Sequence, residues 1–368
     1  MCATAGLGLA PIGHIGAVNA LPEHTDVLVV GAGPTGLTLA CALAARGVPH
    51  VVIDRSDGVP KSKFLSERTL RTLADLGVRA PWRRVTSMAV RDRRSTVLSV
   101  DLRAAAMPAG AVEAALERRY PQWIVRDTEL CELDGTTATV RTGEGDRVVD
   151  ARYVVGCDGS SSTVRDEVGV TSTPGMYADS YLTADVRLDR PVDRIEAALD
   201  PAGLMVVAPL EEGWHRVVAV AQNARAAPAL VDVQHLFDER GWDVRVNAIR
   251  SSAHEQWQQQ VADRFRAGDV FLAGSAAHRL SPATGRDLGF QDAADLGRRL
   301  AAVLTGRTDV SILDGYERVR RPVAQRTMAF ADKVSRVAAL SLRPASLLRN
   351  AVLAVTGRRA LARSLTDR

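Results

Sequence analysis

The feature that most constrains this chain is a glycine turn set between an apolar strand and a helix. Asp26-Val27-Leu28-Val29-Val30 runs into Gly31-Ala32-Gly33-Pro34-Thr35-Gly36, and helical residues continue from about Leu37 to Arg46. A second apolar run, Val51-Val52-Ile53, ends on Asp54. Strand, turn, helix and strand in this order predict a βαβ unit. The three glycines differ in role. Gly31 permits the tight turn, Gly33 lets the backbone approach a pyrophosphate, and Gly36 lets helix and strand pack closely. The helix N-terminus then faces the phosphates, and Asp54 stands where it accepts ribose hydroxyls. A glycine turn alone is weak; with strand, helix and acid in register it is a dinucleotide fingerprint.

A chain of 368 residues can bury two cores, one for a nucleotide lobe and one for a substrate lobe. Hydrophobic residues at 46% and charged residues at 24% exclude wholesale disorder and fibrous repeats. The formal charge of +4 comes mostly from arginine, since lysine occurs only at Lys61, Lys63 and Lys333. With aromatics at 4% there is no stacking platform, so nucleic acid is excluded as a partner. Cys2, Cys41, Cys131 and Cys157 lack metal-type spacing, the histidines are scattered, and Cys41 and Cys157 fall in apolar runs expected to be buried. A reducing, cytoplasmic setting and no metal follow from this. Residues 1–24 have no basic leading segment and are broken by Pro11, His14 and Pro22, which predicts a loose tail rather than a signal peptide or membrane span.

Helical periodicity returns over 67–76 and 111–119, whereas 78–108 carries no clear period. Thr137–Arg141 and Arg147–Val155 read as a hairpin turning at Gly143-Glu144-Gly145, and short β-type runs follow at 182–188, 203–209 and 215–220. Asp269–Ala273 is one more buried strand, and helices dominate from Phe290 onward. The expected fold is α/β: a Rossmann-type lobe, a second lobe on a mixed or antiparallel sheet, and a helical C-terminus. The expected division gives 25–78, 109–178 and 265–308 to the nucleotide lobe and 79–108 and 179–264 to the substrate lobe. Residues 309–368 form C-terminal helices, whose arginine-rich faces read as solvated surfaces rather than membrane contacts.

Three further blocks occur in a fixed order: Pro60-Lys61-Ser62-Lys63-Phe64-Leu65-Ser66-Glu67-Arg68-Thr69-Leu70, Ala151 through Gly156-Cys157-Asp158-Gly159 to Arg165, and Gly268 through Gly274-Ser275-Ala276-Ala277-His278. Together with the fingerprint they resemble the signature segments of group A flavoprotein monooxygenases, the FAD-dependent phenol and polyketide hydroxylases. The resemblance covers about 25–334. It implies FAD as cofactor, with Gly31, Gly33, Gly36 and Asp54 on the ADP moiety and Lys61 where the family has an arginine near the cofactor. Asp158 and Gly159 match a pair that supports the pyrophosphate and the use of NAD(P)H; Asp158 can equally cap the helix expected over 160–168. His278 is expected to be structural.

The departures from the pattern are concentrated. Ser275 replaces a carboxylate that bonds the flavin ribityl chain, and Ala109 replaces a glutamine that contacts the same chain. After Pro282 the loop enclosing the flavin ring reads Ala283-Thr284-Gly285-Arg286-Asp287, two residues shorter than in the family and without its asparagine. All three changes fall on the ribityl and ring half, which implies weak or absent FAD and relaxed demand on the reactive ring. Three functions follow from this. The first is a non-redox tailoring enzyme of polyketide-type natural-product pathways, carrying out a cyclisation such as a [4+2] addition, with Arg286 and Asp287 as candidate cavity residues. The second is a working FAD- and NAD(P)H-dependent hydroxylase that retains Pro282 and Gly285 from the ring-binding loop. The third is a non-catalytic binding relic. For either enzyme the expected partner is an apolar small molecule.

Overall fold

The computed structural model describes residues 21–55, 63–91, 96–119, 124–200, 203–222, 225–281 and 287–338. In chain order the strands are β1 (His24–Val30), β2 (His50–Ile53), β3 (Lys63–Ser66), β4 (Arg83–Arg91), β5 (Thr96–Met107), β6 (Ile124–Val125), β7 (Glu129–Asp134), β8 (Thr137–Thr142) and β9 (Gly145–Gly156). There follow β10 (Ser172–Leu188), β11 (Ile195–Asp200), β12 (Gly203–Pro209), β13 (Trp214–Val220), β14 (Val246–Ala262), β15 (Arg266–Ala267), β16 (Val270–Leu272) and β17 (His278–Arg279). The helices are α1 (Pro34–Ala44), α2 (Glu67–Asp75), α3 (Ala111–Arg119), α4 (Thr163–Glu167), α5 (Leu230–Glu239), α6 (Leu288–Leu304) and α7 (Asp314–Ala338).

An 8-stranded sheet has the order β15-β16-β9-β1-β2-β6, with β7 and β8 attached through β9. Its centre is parallel: β1 lies between β2 and β9, with Val29 opposite Val52 on one side and Val155 on the other. These strands read as unbroken valine and leucine runs because helices cover both faces, and Val27, Leu28, Val29, Val154 and Val155 are fully buried. Helix α1, all but its first residues buried, packs between this sheet and α6; a Cβ at Gly297 of α6 would press on Ala42 of α1.

A 9-stranded sheet, ordered β17-β14-β10-β13-β12-β11-β4-β5-β3, forms the second layer system. Helix α5 covers one face, where Val233, Leu236 and Phe237 meet Leu182, Ala184, Val186, Val217 and Ala219. The unassigned stretch 78–108 is the β4–β5 pair of this sheet, and the helix expected over 160–168 is a single turn and a half, Thr163–Glu167. Strand β3, grouped with the nucleotide lobe on sequence, is an edge strand of the second sheet. Both edges of that sheet reach one helix: Ser66 of β3 bonds Asp287, and His278 of β17 bonds Asp292, at the start of α6. Nine strands laid flat would span about 38 Å at about 4.8 Å per strand, whereas five helical residues advance about 7.5 Å. The sheet is therefore strongly curled, and its two edges converge on the beginning of α6. Among the described residues no helix is long and apolar enough to cross a membrane.

Candidate functional site

At the β1–α1 junction two of the three glycines leave no room for a side chain. Gly31 has φ +104°, and a Cβ there would lie 2.5 Å from the Cys157 carbonyl oxygen, so two independent restrictions require glycine. Its N–H donates to the Ile53 carbonyl, and the Cys157 N–H donates to that of Val30, each at 2.7 Å. A Cβ at Gly36 would overlap the Gly31 carbonyl oxygen. Gly33 differs: nothing lies within 4 Å of its absent Cβ. It opens instead on a cleft of about 820 Å³ that also takes in Asp54, Ala109, Glu113, Asp158 and Gly159. The helix start and the glycine backbone thus look onto free space, which suits a pyrophosphate. Asp54 stands at the rim, with its Oδ2 accepting the Ala32 N–H.

Asp158 follows β9. Ser162 is the N-cap of α4, accepting the Arg165 N–H, while Asp158 Oδ2 accepts the Val164 N–H at 3.1 Å. Its other oxygen, Oδ1, is buried and has no hydrogen-bond partner among the described residues. Burial pushes this carboxyl above the usual range, opposed in part by the bonds from Ser162 and Val164. One oxygen therefore serves the helix and the other is left over in the cleft wall. The two arginines of the described lining are both paired, Arg55 with Glu129 at 3.7 Å and Arg126 with Glu117. A pyrophosphate in this cleft would rest on backbone N–H groups and the helix dipole rather than on side-chain cations. A glycine cradle, a rim acid and an orphaned buried acceptor fit the ADP moiety of a flavin. The flavin itself, when bound, supplies a redox-active ring.

A second close contact of glycines lies at the turn Gly274–Ala276, against the first turn of α1. Gly274 has φ +61°, and Thr35 of α1 is wedged between it and Gly289 of α6, touching the position a Cβ would take on either glycine. Behind the turn lies a buried polar cluster. Asp292 accepts the Gly274 N–H at 3.2 Å and His278 Nε2–H at 2.6 Å through Oδ2, and Arg320 Nε–H at 2.7 Å through Oδ1. Burial alone would raise the Asp292 carboxyl, but His278 and Arg320 together hold it below the usual carboxylate range. The cluster ties the turn to α6 and α7, and gives His278 a packing partner rather than a substrate. Ser275 sits on the outside of this turn with its side chain exposed. Asp287, at the N-cap position of α6, does not point into open space: its Oδ2 accepts from Ser66 N–H (3.1 Å), Ser66 Oγ (2.5 Å) and Thr69 Oγ1 (2.9 Å). Lys61, Pro282, Gly285 and Arg286 lie outside the described residues.

One pair escaped the sequence reading. The Tyr181 hydroxyl meets Ser281 Oγ at 3.2 Å, immediately before residues 282–286. Asp287, immediately after them, is held by Ser66. Tyr181 points away from α5, since Leu182 and Ala184 face that helix and side chains alternate along a strand. Ser66 pairs with Ala104, which belongs to an apolar cluster with Val85, Ile195 and Trp214 on the same α5-distal face. Both ends of segment 282–286 are thus bonded to one face of the second sheet. No motif signals this, because the partners meet only through the curl of the sheet.

A family model described as an FAD binding domain matches residues 24–331. Dialkyldecalin synthase from Streptomyces rugosporus is 32% identical over 333 residues, covering 82% of this chain and 71% of that protein. A 12-dehydrotetracycline 5-monooxygenase/anhydrotetracycline 6-monooxygenase from Streptomyces rimosus is 32% identical over 339 residues, covering 81% and 67%. The crystal structure of p-nitrophenol 4-monooxygenase from Pseudomonas putida DLL-E4 superposes with a TM-score of 0.80 over 94% of this chain and 100% of that one, at 23% identity, and so bears on the fold alone. With the glycine cradle, the rim acid and the curled second sheet in place, the chain belongs to the FAD-dependent group A flavoprotein monooxygenase family.

Proposed function

We propose that the chain is a tailoring enzyme of polyketide-type natural products that uses this fold as a shaped cavity and closes a ring without redox turnover, as in a [4+2] addition. The observation that carries the reading is the turn Gly274–Ala276. The point where α1 and α6 converge presents the exposed Ser275 hydroxyl, where the family resemblance implies a carboxylate on the ribityl chain. A cyclisation needs a substrate held in a near-attack shape and donors that polarise a carbonyl, and no electron source. Similarity to a dialkyldecalin synthase supports this. Within the reading Arg286 is the proposed carbonyl donor, and Asp287, bonded through one oxygen to Ser66 and Thr69, anchors the segment that carries it. The buried thiols Cys41 and Cys157 suit a reducing compartment, and the cytoplasm is the proposed location.

The purified chain is expected to retain little FAD. A lost carboxylate bond, a lost glutamine bond and a shortened loop, at about 1 to 2 kcal/mol each, lower affinity by a few powers of ten. The visible spectrum of fresh protein is compared with that of a variant carrying Ser275→Asp and two added loop residues. A colourless parent and a yellow variant are the expected pair; a parent with one FAD per chain overturns the impaired-site reading. The competing hydroxylase reading draws on the well-formed ADP cleft and on the tetracycline-pathway monooxygenase relative. It requires NAD(P)H and product oxygen derived from molecular oxygen, whereas cyclisation proceeds anaerobically without reductant.

A further inference from the structure

The α5-distal face of the second sheet is mostly apolar, with half-buried Phe64, Met88, Ala104, Ile195, Leu204 and Val206. One charged group interrupts it. Asp185 of β10 lies opposite Arg216 of β13, and Arg187 opposite Trp214, so all four share the face that carries Tyr181. Arg216 Nε reaches Asp185 Oδ1 at 2.7 Å, and Arg250 bridges Asp185 at 3.3 Å and Glu211 at 2.9 Å. The Trp214 ring has the Arg187 guanidinium 5.1 Å from its centroid and that of Arg250 at 4.8 Å. Asp185 and Arg216 are buried, whereas the Arg250 side chain is 36% exposed.

Arginine stays protonated in any such setting, so Arg187, Arg216 and Arg250 against Asp185 and Glu211 leave one net positive charge. A balanced ion pair would be sufficient if the cluster only filled space, and buried pairs add little stability over apolar packing. Here the surplus falls on Arg187, an exposed guanidinium stacked on the indole that donates to the Glu212 carbonyl at 3.5 Å, while Arg250 is held by its two carboxylates. Along β10, Asp185 lies four positions beyond Tyr181, about 13 Å at about 3.3 Å per residue. Tyr181 bonds Ser281, next to the loop 282–286. The distance suits a molecule whose body lies on the apolar strip and whose far end reaches Tyr181 and Ser281.

We propose that Arg250, Arg187 and Trp214 form a binding site for a planar monoanionic head group, a carboxylate or the enolate of a β-dicarbonyl, on an otherwise apolar substrate. Asp185 and Arg216 are positioning residues: they hold Arg250 over Trp214 and are too buried to meet the ligand. The inference rests on the proposed function in taking this face as the substrate floor.

The test titrates the full chain with cis-parinarate, a fluorescent polyene carboxylate, and with its methyl ester. The acid should bind about tenfold more tightly than the ester, the size of one charge-assisted bond. Arg250→Gln should erase that preference while leaving ester affinity unchanged, and Arg187→Gln, at an exposed position, should reduce it. Benzoate and dehydroacetate, a carboxylate and an enolised β-dicarbonyl, are then used to displace bound parinarate; whichever displaces it identifies the head-group chemistry. Equal binding of acid and ester by the parent, an unchanged preference in both variants, or no displacement by either anion overturns the anion site while leaving the apolar floor standing. Failure of both acid and ester to bind overturns the floor as well, and with it the apolar substrate of the proposed function.

Discussion

The β1–α1 junction and the Gly274 turn use the same means differently. At the β1–α1 junction, glycines are required by backbone pressing on backbone: Gly36 faces the Gly31 carbonyl, and Gly31 faces Cys157 and Asp158. At the Gly274 turn the close neighbour of both glycines is a side chain, Thr35. Backbone contacts cannot be relieved by a rotamer change, whereas a threonine can be exchanged for something smaller. The β1–α1 junction is therefore fixed by the course of the main chain. The Gly274 turn is fixed by replaceable side chains and by the cluster around Asp292. Two of the three buried histidines among the described residues repeat the contrast. His50 of β2 donates through Nδ1 to the Val48 carbonyl at 2.8 Å, while His278 is bonded to the Asp292 carboxylate.

The largest effect that would break this comparison is at Gly36. Gly36→Val should cost more than about 4 kcal/mol, because the added carbons meet backbone that cannot move without opening β1 and β9. Circular dichroism of the soluble fraction, or absence of soluble protein, reads this out; a melting temperature within a few degrees of the parent would place the rigidity elsewhere.

Acid should separate the two regions. Burial lowers the His50 pKa from 6.5 to about 4, so between those values the unfolded chain binds a proton that the folded chain refuses. Stability is full above pH 6.5 and falls as the pH drops towards 4, by about 3 kcal/mol at about 1.4 kcal/mol per pKa unit. Asp292 has the same sign and a lower window: its folded carboxyl is held below the ordinary 3.8, so its contribution persists above that value and is lost only as the pH falls further. Denaturant midpoints at pH 7.5, 5.5 and 4.5 should decline in the parent and decline less steeply in His50→Gln, where the buried His215, also lowered by burial, still contributes. An unchanged slope in that variant would remove His50 from the account.

The smallest effect on stability should come from Gly33→Val, since an added side chain meets nothing within 4 Å. Melting should stay within a few degrees of the parent while any adenine nucleotide released on denaturation disappears, because the new side chain occupies the pyrophosphate position. A variant that keeps its nucleotide would show that the cleft is entered from another side.

How much of this is legible in the sequence depends on whether the partners are near in the chain. The β1–α1–β2 unit announces itself because the apolar period changes at a glycine turn, and the hairpin of β8 and β9 because glycine marks its turn. Strand β5 does not: its Ala104-Ala105-Ala106 run has helical propensity and is extended only because β3 and β4 flank it. Strand β14 is hidden by Glu255-Gln256-Trp257-Gln258-Gln259-Gln260, a polar run without alternation. Its side chains find distant partners on three sides: Gln258 donates to the Gly175 carbonyl of β10, Gln259 to Asp332 of α7, and Trp257 to the Leu280 carbonyl just past β17. At the site, Gly31, Gly33, Gly36 and Asp54 could be assigned from spacing. The cluster of His278, Asp292 and Arg320 could not, since its members are 14 and 28 residues apart and converge only when α6 and α7 dock.

Residues 281 and 287 are each pinned to the same sheet, one through Tyr181 and the other through Ser66. For protein engineering this makes residues 282–286 a cassette. A segment of different length or chemistry can be grafted between two fixed posts without disturbing the framework that holds them. The graft must supply its own conformation, because neither post can slide to absorb an extra residue. Divergence within such a lineage can then proceed by exchanging one short insert, with the sheet and the ADP cleft serving as unchanged infrastructure for different chemistries.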